Sequence, residues 1–315
     1  MSEYLLTGGC GFLGSNMTRY LLNKGHRVII VDDLCTGEYA NIKDIKDDVV
    51  YYTVSVENKK DLERIVESHK IDYIFNFACP ASPKQYQRMP LKTLDTCYLG
   101  VKNVLDMANN LKCGMMQMST SEVYGDPPSS PQSESDLGNV NSYGPRSCYD
   151  EGKRIAEALC YEYAMNYDVR CHIPRIFNTY GPYMRGDDGR VISEFIVNAL
   201  VDKDLVIFGD GSSTRSFCYV NDMIEGLYKL HLSDSFNEPI NMGMSEEIDL
   251  FDLAEKIVYK CKSNSKIRFT KRPKDDPHIR KPCIKKAQQQ LRWEPVIELD
   301  EGLEKTISYF RSTLR

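Results

Sequence analysis

Apolar and polar positions in the first half of the chain alternate between two rhythms. Short β-rich apolar runs lie at residues 4–6, 27–31, 49–54, 73–77 and 114–118 and read as strands. Stretches near 12–24, 59–69, 90–111 and 146–166 read as helices. Strand–helix alternation predicts an α/β protein with a parallel sheet covered on both faces. The second half changes character, with loop-rich stretches at 180–190, 208–214 and 271–282 between short helices. We read residues 1–175 as the sheet domain and 176–315 as a smaller substrate lobe, some of whose segments return to the main sheet. No repeat or flexible linker separates the two, so they are expected to pack around a cleft.

Composition narrows the function classes. At 42% hydrophobic and 27% charged, 315 residues supply ample material for a core. The net charge of −5 gives no general electrostatic case for nucleic acid or an anionic membrane. No apolar run approaches the roughly 20 residues that span a bilayer. No signal peptide is expected, because Tyr4-Leu5-Leu6 leads straight into a glycine-rich motif. The eleven cysteines are scattered without C-x-x-C or Cys/His clustering, so reduced thiols in a cytoplasmic setting are expected. The histidines (His26, His69, His172, His231, His278) have no metal spacing and read as structural or surface groups, and no metal is expected.

The glycine-rich motif is TGGCGFLGSN, Thr7 to Asn16. Gly8, Gly11 and Gly14 follow the first strand and open a helix, where bare backbone can approach a pyrophosphate and the helix N-terminus supplies N–H donors. Phe12 and Leu13 complete the turn. Asp32 ends the second strand, where an acid can bond ribose hydroxyls. Together these predict a Rossmann-type, doubly wound dinucleotide site. Asp33 follows Asp32 with no nearby Arg or Lys in sequence, so a 2′-phosphate would be repelled and NAD is favoured over NADP. Thr36 and Gly37 are expected to line the adenine side.

Tyr149 and Lys153 stand four residues apart, on one helix face. A nearby ammonium is expected to lower the phenol pKa, so that Tyr149 takes a proton from a sugar hydroxyl while hydride leaves for NAD. Thr120, about thirty residues upstream, completes the set.

Longer strings carry a resemblance: ACPASPKQY, MSTSEVYGDP, GNVNSYGPRSCYDEGKR, RIFNTYGP, DDGRVISEFI, STRSFCYVND and DDPHIRKP. Running through nearly the whole chain, they resemble the extended short-chain dehydrogenases/reductases that act on nucleotide sugars, and among these the UDP-glucuronate decarboxylases. That resemblance implies oxidation at sugar carbon 4, loss of carbon dioxide from the resulting β-keto acid, and return of hydride to give UDP-xylose. Related 4,6-dehydratases carry Asp-Glu after the Thr. Here Ser121 replaces that Asp, and a hydroxyl is a poor acid for expelling the carbon-6 hydroxyl. Glu122, or a water it orients, is then expected to serve carbon 5. By the same resemblance, Arg215 meets the carboxylate or phosphate region, and Asn178, Arg190 and Arg280 meet the nucleotide diphosphate. Pro80, Ser82 and Tyr86 are expected to shape the sugar pocket, and Phe208 to pack on uracil or in the core. The resemblance also implies a homodimer through the helices near 90–111 and 146–166.

Three positions depart from the family pattern. Cys97 stands where an Asn usually supports the catalytic Lys, Ser55 where an Asp often contacts adenine, and Cys283 where an Asp usually follows R-x-P. The sequence leaves open a 4,6-dehydratase, a 4-epimerase, a UDP-apiose/xylose synthase, and an enzyme that releases the 4-keto sugar with NADH. Outside enzymes it leaves an NAD-binding regulatory protein, against which the intact Thr120, Tyr149 and Lys153 weigh.

Overall fold

A computed structural model describes residues 1–211, 213–273, 275 and 279–314. His278 and part of the DDPHIRKP string lie outside the described residues. The first half runs β1 (Glu3–Thr7), α1 (Phe12–Asn23), β2 (Arg27–Val31), β3 (Val50–Tyr52), α2 (Lys59–Glu67), β4 (Tyr73–Asn76), α3 (Pro83–Arg88), α4 (Pro90–Asp95), α5 (Val101–Leu111), β5 (Gly114–Gln117), β6 (Ser119–Thr120), α6 (Ser147–Tyr167) and β7 (Cys171–Ile176). The second half runs β8 (Thr179–Tyr180), α7 (Val191–Leu200), β9 (Leu205–Phe208), β10 (Thr214–Ser216), β11 (Cys218–Tyr219), α8 (Val220–His231), β12 (Pro239–Met242), β13 (Glu247–Asp249), α9 (Leu250–Cys261), β14 (Ile267–Thr270), α10 (Lys285–Leu291) and α11 (Leu299–Thr313).

The main sheet has order β12-β7-β5-β4-β1-β2-β3, with β6 beside β7. Its pairings are parallel. Alternate residues of each strand serve opposite faces. Leu6, Ile30 and Phe75 join Met17, Leu21, Leu227 and Leu230 of α1 and α8. Leu5, Ile29 and Ile74 join Leu62, Ile65, Val104 and Ala156 of α2, α5 and α6. Burial on both faces explains the nearly continuous apolar strands. Strand order reverses between β1 and β4, and the crevice beyond their C-terminal ends is where such folds bind ligands.

The expected strands and helices of the first half form, with ends shifted by a few residues. One difference bears on the site. The helix expected over 90–111 is two helices joined by a π-turn at Thr96–Gly100, which carries Cys97. Single π-turns inside helices are frequent at functional sites. The second half adds paired strands β8/β11, β9/β14 and β10/β13, each two to four residues long and too short to read from alternation. Four histidines meet tyrosine hydroxyls: His26 with Tyr228 (3.3 Å), His69 with Tyr52 (3.0 Å), His172 with Tyr73 (2.5 Å) and His231 with Tyr4 (3.0 Å). Among the described residues no helix is long and apolar enough to cross a membrane, and no cluster of metal-ligating groups forms.

Candidate active site

A cleft of about 560 Å³ opens above the crevice between β1 and β4. Its cofactor end is built from backbone. Gly8 has φ +68°, and a Cβ there would lie 2.7 Å from the Ala78 nitrogen in the loop after β4. A Cβ on Gly14 would lie 2.2 Å from the Gly8 carbonyl oxygen. Those two glycines let the turn close on itself. At Gly11 a Cβ would approach only that carbonyl, at 3.2 Å, and the position faces the cleft with Phe12 and Leu13. Helix α1 begins there without a side-chain cap or an acid in its first turn, which leaves its N-terminus suited to an anion.

Asp32 sits in an adjoining narrow pocket lined also by Thr36, Gly37, Cys79 and Pro80. Its carboxylate accepts hydrogen bonds from the backbone N–H of Cys10 (2.9 Å) and Leu34 (2.8 Å). Burial outweighs these bonds and raises its pKa above the usual carboxylate value. A Cβ on Gly37 would lie 2.9 Å from both carboxylate oxygens, so glycine is what fits against this acid. Lys92, distant in sequence, reaches Asp33 (2.8 Å) and Glu57 (2.6 Å). One ammonium among Asp32, Asp33 and Glu57 leaves the pocket negative, hostile to a 2′-phosphate. Ser55 bonds Glu57 and accepts from Lys92 (2.8 Å), so a carboxylate remains beside this pocket although Ser55 itself has none.

The sugar end is built from side chains. Thr120 ends β6 and its hydroxyl accepts from the Glu122 N–H (3.2 Å). Glu122 points into the cleft between two guanidiniums, Arg146 Nη2 at 2.5 Å and Arg280 Nη2 at 2.9 Å. Burial would raise its pKa, but Arg280 and Arg146 win and hold the carboxyl well below the usual range. Arg146, Tyr149, Asp150 and Lys153 follow the i, i+3, i+4, i+7 rhythm along α6 and so gather on one side. Asp150 is buried 3.7 Å from the Arg146 Nε, and burial, then Glu122, raises its pKa.

Tyr149 stacks on Tyr86, with centroids 4.9 Å apart and planes 7° from parallel. The expectation that Lys153 lowers the Tyr149 pKa is corrected here. Burial is the largest influence and raises it, with only partial relief from the Thr120 hydroxyl and Arg190. Lys153 does share the helix face, but its ammonium donates to the Met118 carbonyl at 2.8 Å.

The other expected residues fall as follows. Ser82, Tyr86, Ser121, Asn178, Arg190, Phe208, Arg215 and Arg280 line the large cleft, whereas Pro80 lines the narrow pocket. Phe208 is 46% exposed and so is not core. Arg280 is 1% exposed and also donates to the Gly125 carbonyl (2.8 Å). An isolated bridge joins Arg215 to Arg280, and bonds between Gln132 and Lys281 and Cys283 dock the segment that carries Arg280. Ser82 Oγ, Tyr86 OH, Asp150 Oδ1 and Arg280 Nε are buried without a hydrogen-bond partner among the described residues. Buried polar atoms are rarely left so, and their gathering here marks where a polar ligand belongs. Arg146, Asp150, Glu57 and Lys92 were not singled out from sequence. The α6 rhythm could have flagged the first two, whereas no local pattern joins Lys92 to Glu57.

The GDP-mannose 4,6 dehydratase family profile matches residues 5–306. UDP-glucuronic acid decarboxylase 1 of Xenopus tropicalis is 43% identical over 313 residues, covering 98% of this chain and 72% of that protein. The chain belongs to the UDP-glucuronic acid decarboxylase family. Among solved structures it is similar to UDP-glucose 4-epimerase of Thermotoga maritima with UDP-glucose, at TM-score 0.93 and 27% identity, covering 99% of this chain and 100% of that one. It is also similar to UDP-glucuronic acid 4-epimerase of Bacillus cereus in complex with UDP-glucuronic acid and NAD, at TM-score 0.89 and 27% identity, covering 99% of each chain.

The family's cofactor is NAD, and the cofactor end fits it: an open glycine cradle, a bare helix N-terminus and a ribose-side carboxylate in a negative pocket. Two of the family departures have visible consequences. Cys97 packs on α6 at Gly152, where a Cβ would lie 3.0 Å from its sulfur, and Lys153 is held by the Met118 carbonyl. Cys283 is used through its backbone, which bonds Gln132 (2.7 Å) and Asn241 (3.3 Å), so an acid is not needed to dock this segment.

Proposed function

We propose that this enzyme converts UDP-glucuronate to UDP-xylose, and that Thr120, Glu122, Tyr149 and Lys153 carry the chemistry. The observation that carries the reading is Glu122 held ionised between Arg146 and Arg280, beside a serine where a dehydratase has its acid. Arg146 and Arg280 set two guanidiniums against the one Glu122 carboxylate, a surplus of positive charge that suits a sugar acid. A site without a proton donor at Ser121 does not suit expulsion of a hydroxyl.

Bound NAD supplies the hydride acceptor for carbon 4 and later the donor that restores the alcohol there. Gly8, Gly11, Phe12, Leu13, Gly14, Asp32, Thr36 and Gly37 hold it. Tyr149 takes the carbon-4 hydroxyl proton and Thr120 holds the same oxygen. Lys153, held by the Met118 carbonyl, keeps a positive charge on the same face of α6 as the phenol. With a ketone at carbon 4, the carbon 5–carbon 6 bond breaks, its electron pair enters the enolate and carbon dioxide leaves. Carbon 5 then takes a proton from a water that Glu122 orients, because a carboxyl held this low is a poor donor. Tyr149 returns its proton to the carbon-4 oxygen as the alcohol re-forms. Arg190, Asn178, Arg215 and Phe208 are assigned to the nucleotide, and Ser82, Tyr86 and Ser121 to the sugar, so residues 176–315 act as the substrate lobe.

The test is incubation with UDP-glucuronate and NAD, followed by mass spectrometry. The expected product is lighter by carbon dioxide, with no lasting NADH absorbance. An unchanged mass with a new isomer would instead make the protein a 4-epimerase, a reading favoured only by the fold shared with the Bacillus cereus enzyme. Loss of carbon dioxide with stoichiometric NADH would mean release of the 4-keto sugar.

We also infer a homodimer through α4, α5 and α6. Leu91, Leu94, Tyr98, Ile155, Tyr161 and Met165 are exposed apolar residues on α4, α6 and the π-turn that leads into α5. Light scattering at the mass of one chain would overturn it. The free cysteines, with Cys35 exposed, suit a reducing, cytoplasmic setting.

A further inference from the structure

We propose that Cys79 and Cys97 form a redox-active dithiol at the floor of the cofactor cleft, which a peroxide closes into a reversible disulfide. Their sulfurs lie 3.5 Å apart, although the residues come from different elements, the loop after β4 and the π-turn. Cys79 is half-buried and lines both the large cleft and the narrow pocket, so a small oxidant that enters the cleft meets it. Cys97 is 2% exposed behind it, within reach of Cys79 but not of solvent. An accessible thiol backed by a resolving thiol is the arrangement that favours a disulfide over further oxidation.

Charge supports the asymmetry. The bond with Cys97 and the Lys153 ammonium hold the Cys79 thiol below its ordinary range. The Cys79 bond, then burial, pushes Cys97 well above it. The thiolate is the nucleophile, so Cys79 reacts first. A second close pair, Cys160 and Cys171, provides an internal control. Both are at most 1% exposed, on α6 and β7, and neither lines the large cleft or the narrow pocket.

The step balances. Cys79 thiolate attacks one peroxide oxygen, the O–O bond breaks, and hydroxide leaves a sulfenic acid on Cys79. Cys97 sulfur attacks that sulfur, the S–O bond breaks, and water departs with the Cys97 proton. Two thiols lose two electrons and the peroxide becomes water. Closure draws the sulfurs from 3.5 Å to about 2.05 Å. Cys79 lines both pockets that would hold NAD, so bound NAD should shield it. The inference rests on the cofactor cleft and not on the identity of the sugar.

The experiment treats the purified full chain with hydrogen peroxide, with and without NAD, removes the peroxide, unfolds the chain, then alkylates the remaining thiols and maps the peptides. The expected result is a Cys79–Cys97 cross-linked peptide, lighter by two hydrogens than the two thiol peptides. It should form more slowly with NAD and disappear with dithiothreitol, while Cys160 and Cys171 stay alkylated. Cys97→Ser should let Cys79 proceed to sulfinic acid, which dithiothreitol does not reverse. Cys79→Ser, at the more accessible position, should leave Cys97 alkylated as a thiol. Full alkylation of Cys79 and Cys97 after peroxide would overturn the proposal. So would recovery of Cys97→Ser by dithiothreitol like that of the unchanged chain.

Discussion

The two ends of the cleft hold their carboxylates in opposite ways. Asp32 is held by two backbone N–H groups, in a pocket where burial raises its pKa. Glu122 is held by two guanidiniums that depress its pKa despite burial. The first arrangement is made by the shape of a single βαβ turn. The second needs three chain segments, since 24 residues separate Glu122 from Arg146 and 158 separate it from Arg280. On the roles proposed above, a group that only orients a ribose tolerates a modest environment. A group that must stay charged beside reacting atoms needs fixed counter-charges, and those come from distant parts of the chain.

The sharpest way to break this contrast is at the chemistry itself. Tyr149→Phe should lower kcat by about 10²–10⁴-fold, the range for a lost acid–base group, and leave the NAD dissociation constant unchanged by titration. A parallel loss of NAD binding would mean that the two ends are not separable. Next, Arg280→Ala leaves Glu122 with one guanidinium in a buried site. A cost of about 3–5 kcal/mol in denaturant unfolding is expected, together with loss of turnover.

Acid titration sharpens the comparison further. Glu122 has a depressed pKa, so its ion pairs contribute stability that is fully present above the unfolded value of 4.5 and is lost as pH falls through about 2. Glu122→Gln should remove ~3 kcal/mol of that acid-side loss, read from the unfolding midpoint between those pH values. Asp32 runs the other way. Its pKa is raised above 3.8, so its contribution is present below that value and is lost as pH rises through the folded value. The smallest effect is expected at the backbone end. Gly14→Ala places a methyl against the Gly8 carbonyl and should cost about 1–3 kcal/mol of stability, with weaker NAD binding and unchanged kcat at saturating NAD.

The same contrast governs what was legible in the sequence. The glycine turn, Asp32 and the parallel sheet follow from local spacing and strand–helix alternation, and the structure forms them where expected. The Tyr149–Lys153 face was equally legible, because helical periodicity is local. The direction of the Tyr149 pKa was not, because it depends on how deeply the phenol is buried against Tyr86 and Thr120. The partners of Glu122 were also hidden: Arg280 meets it only because strand-like bridges from Gln132 and Arg215 dock a late segment. Nothing local in the sequence ties Lys92 to Asp33; the packing of α4 brings them together.

That late segment also sets an order of events during synthesis. Glu122 leaves the ribosome 158 residues before Arg280. At roughly 5–20 residues per second, the interval is on the order of ten to thirty seconds. The glycine turn and Asp32 emerge earlier still, so a nascent chain carries the parts of its dinucleotide cradle well before it can hold Glu122 as the finished enzyme does. A chain whose translation stopped in between would have recognition elements without the means to complete the reaction.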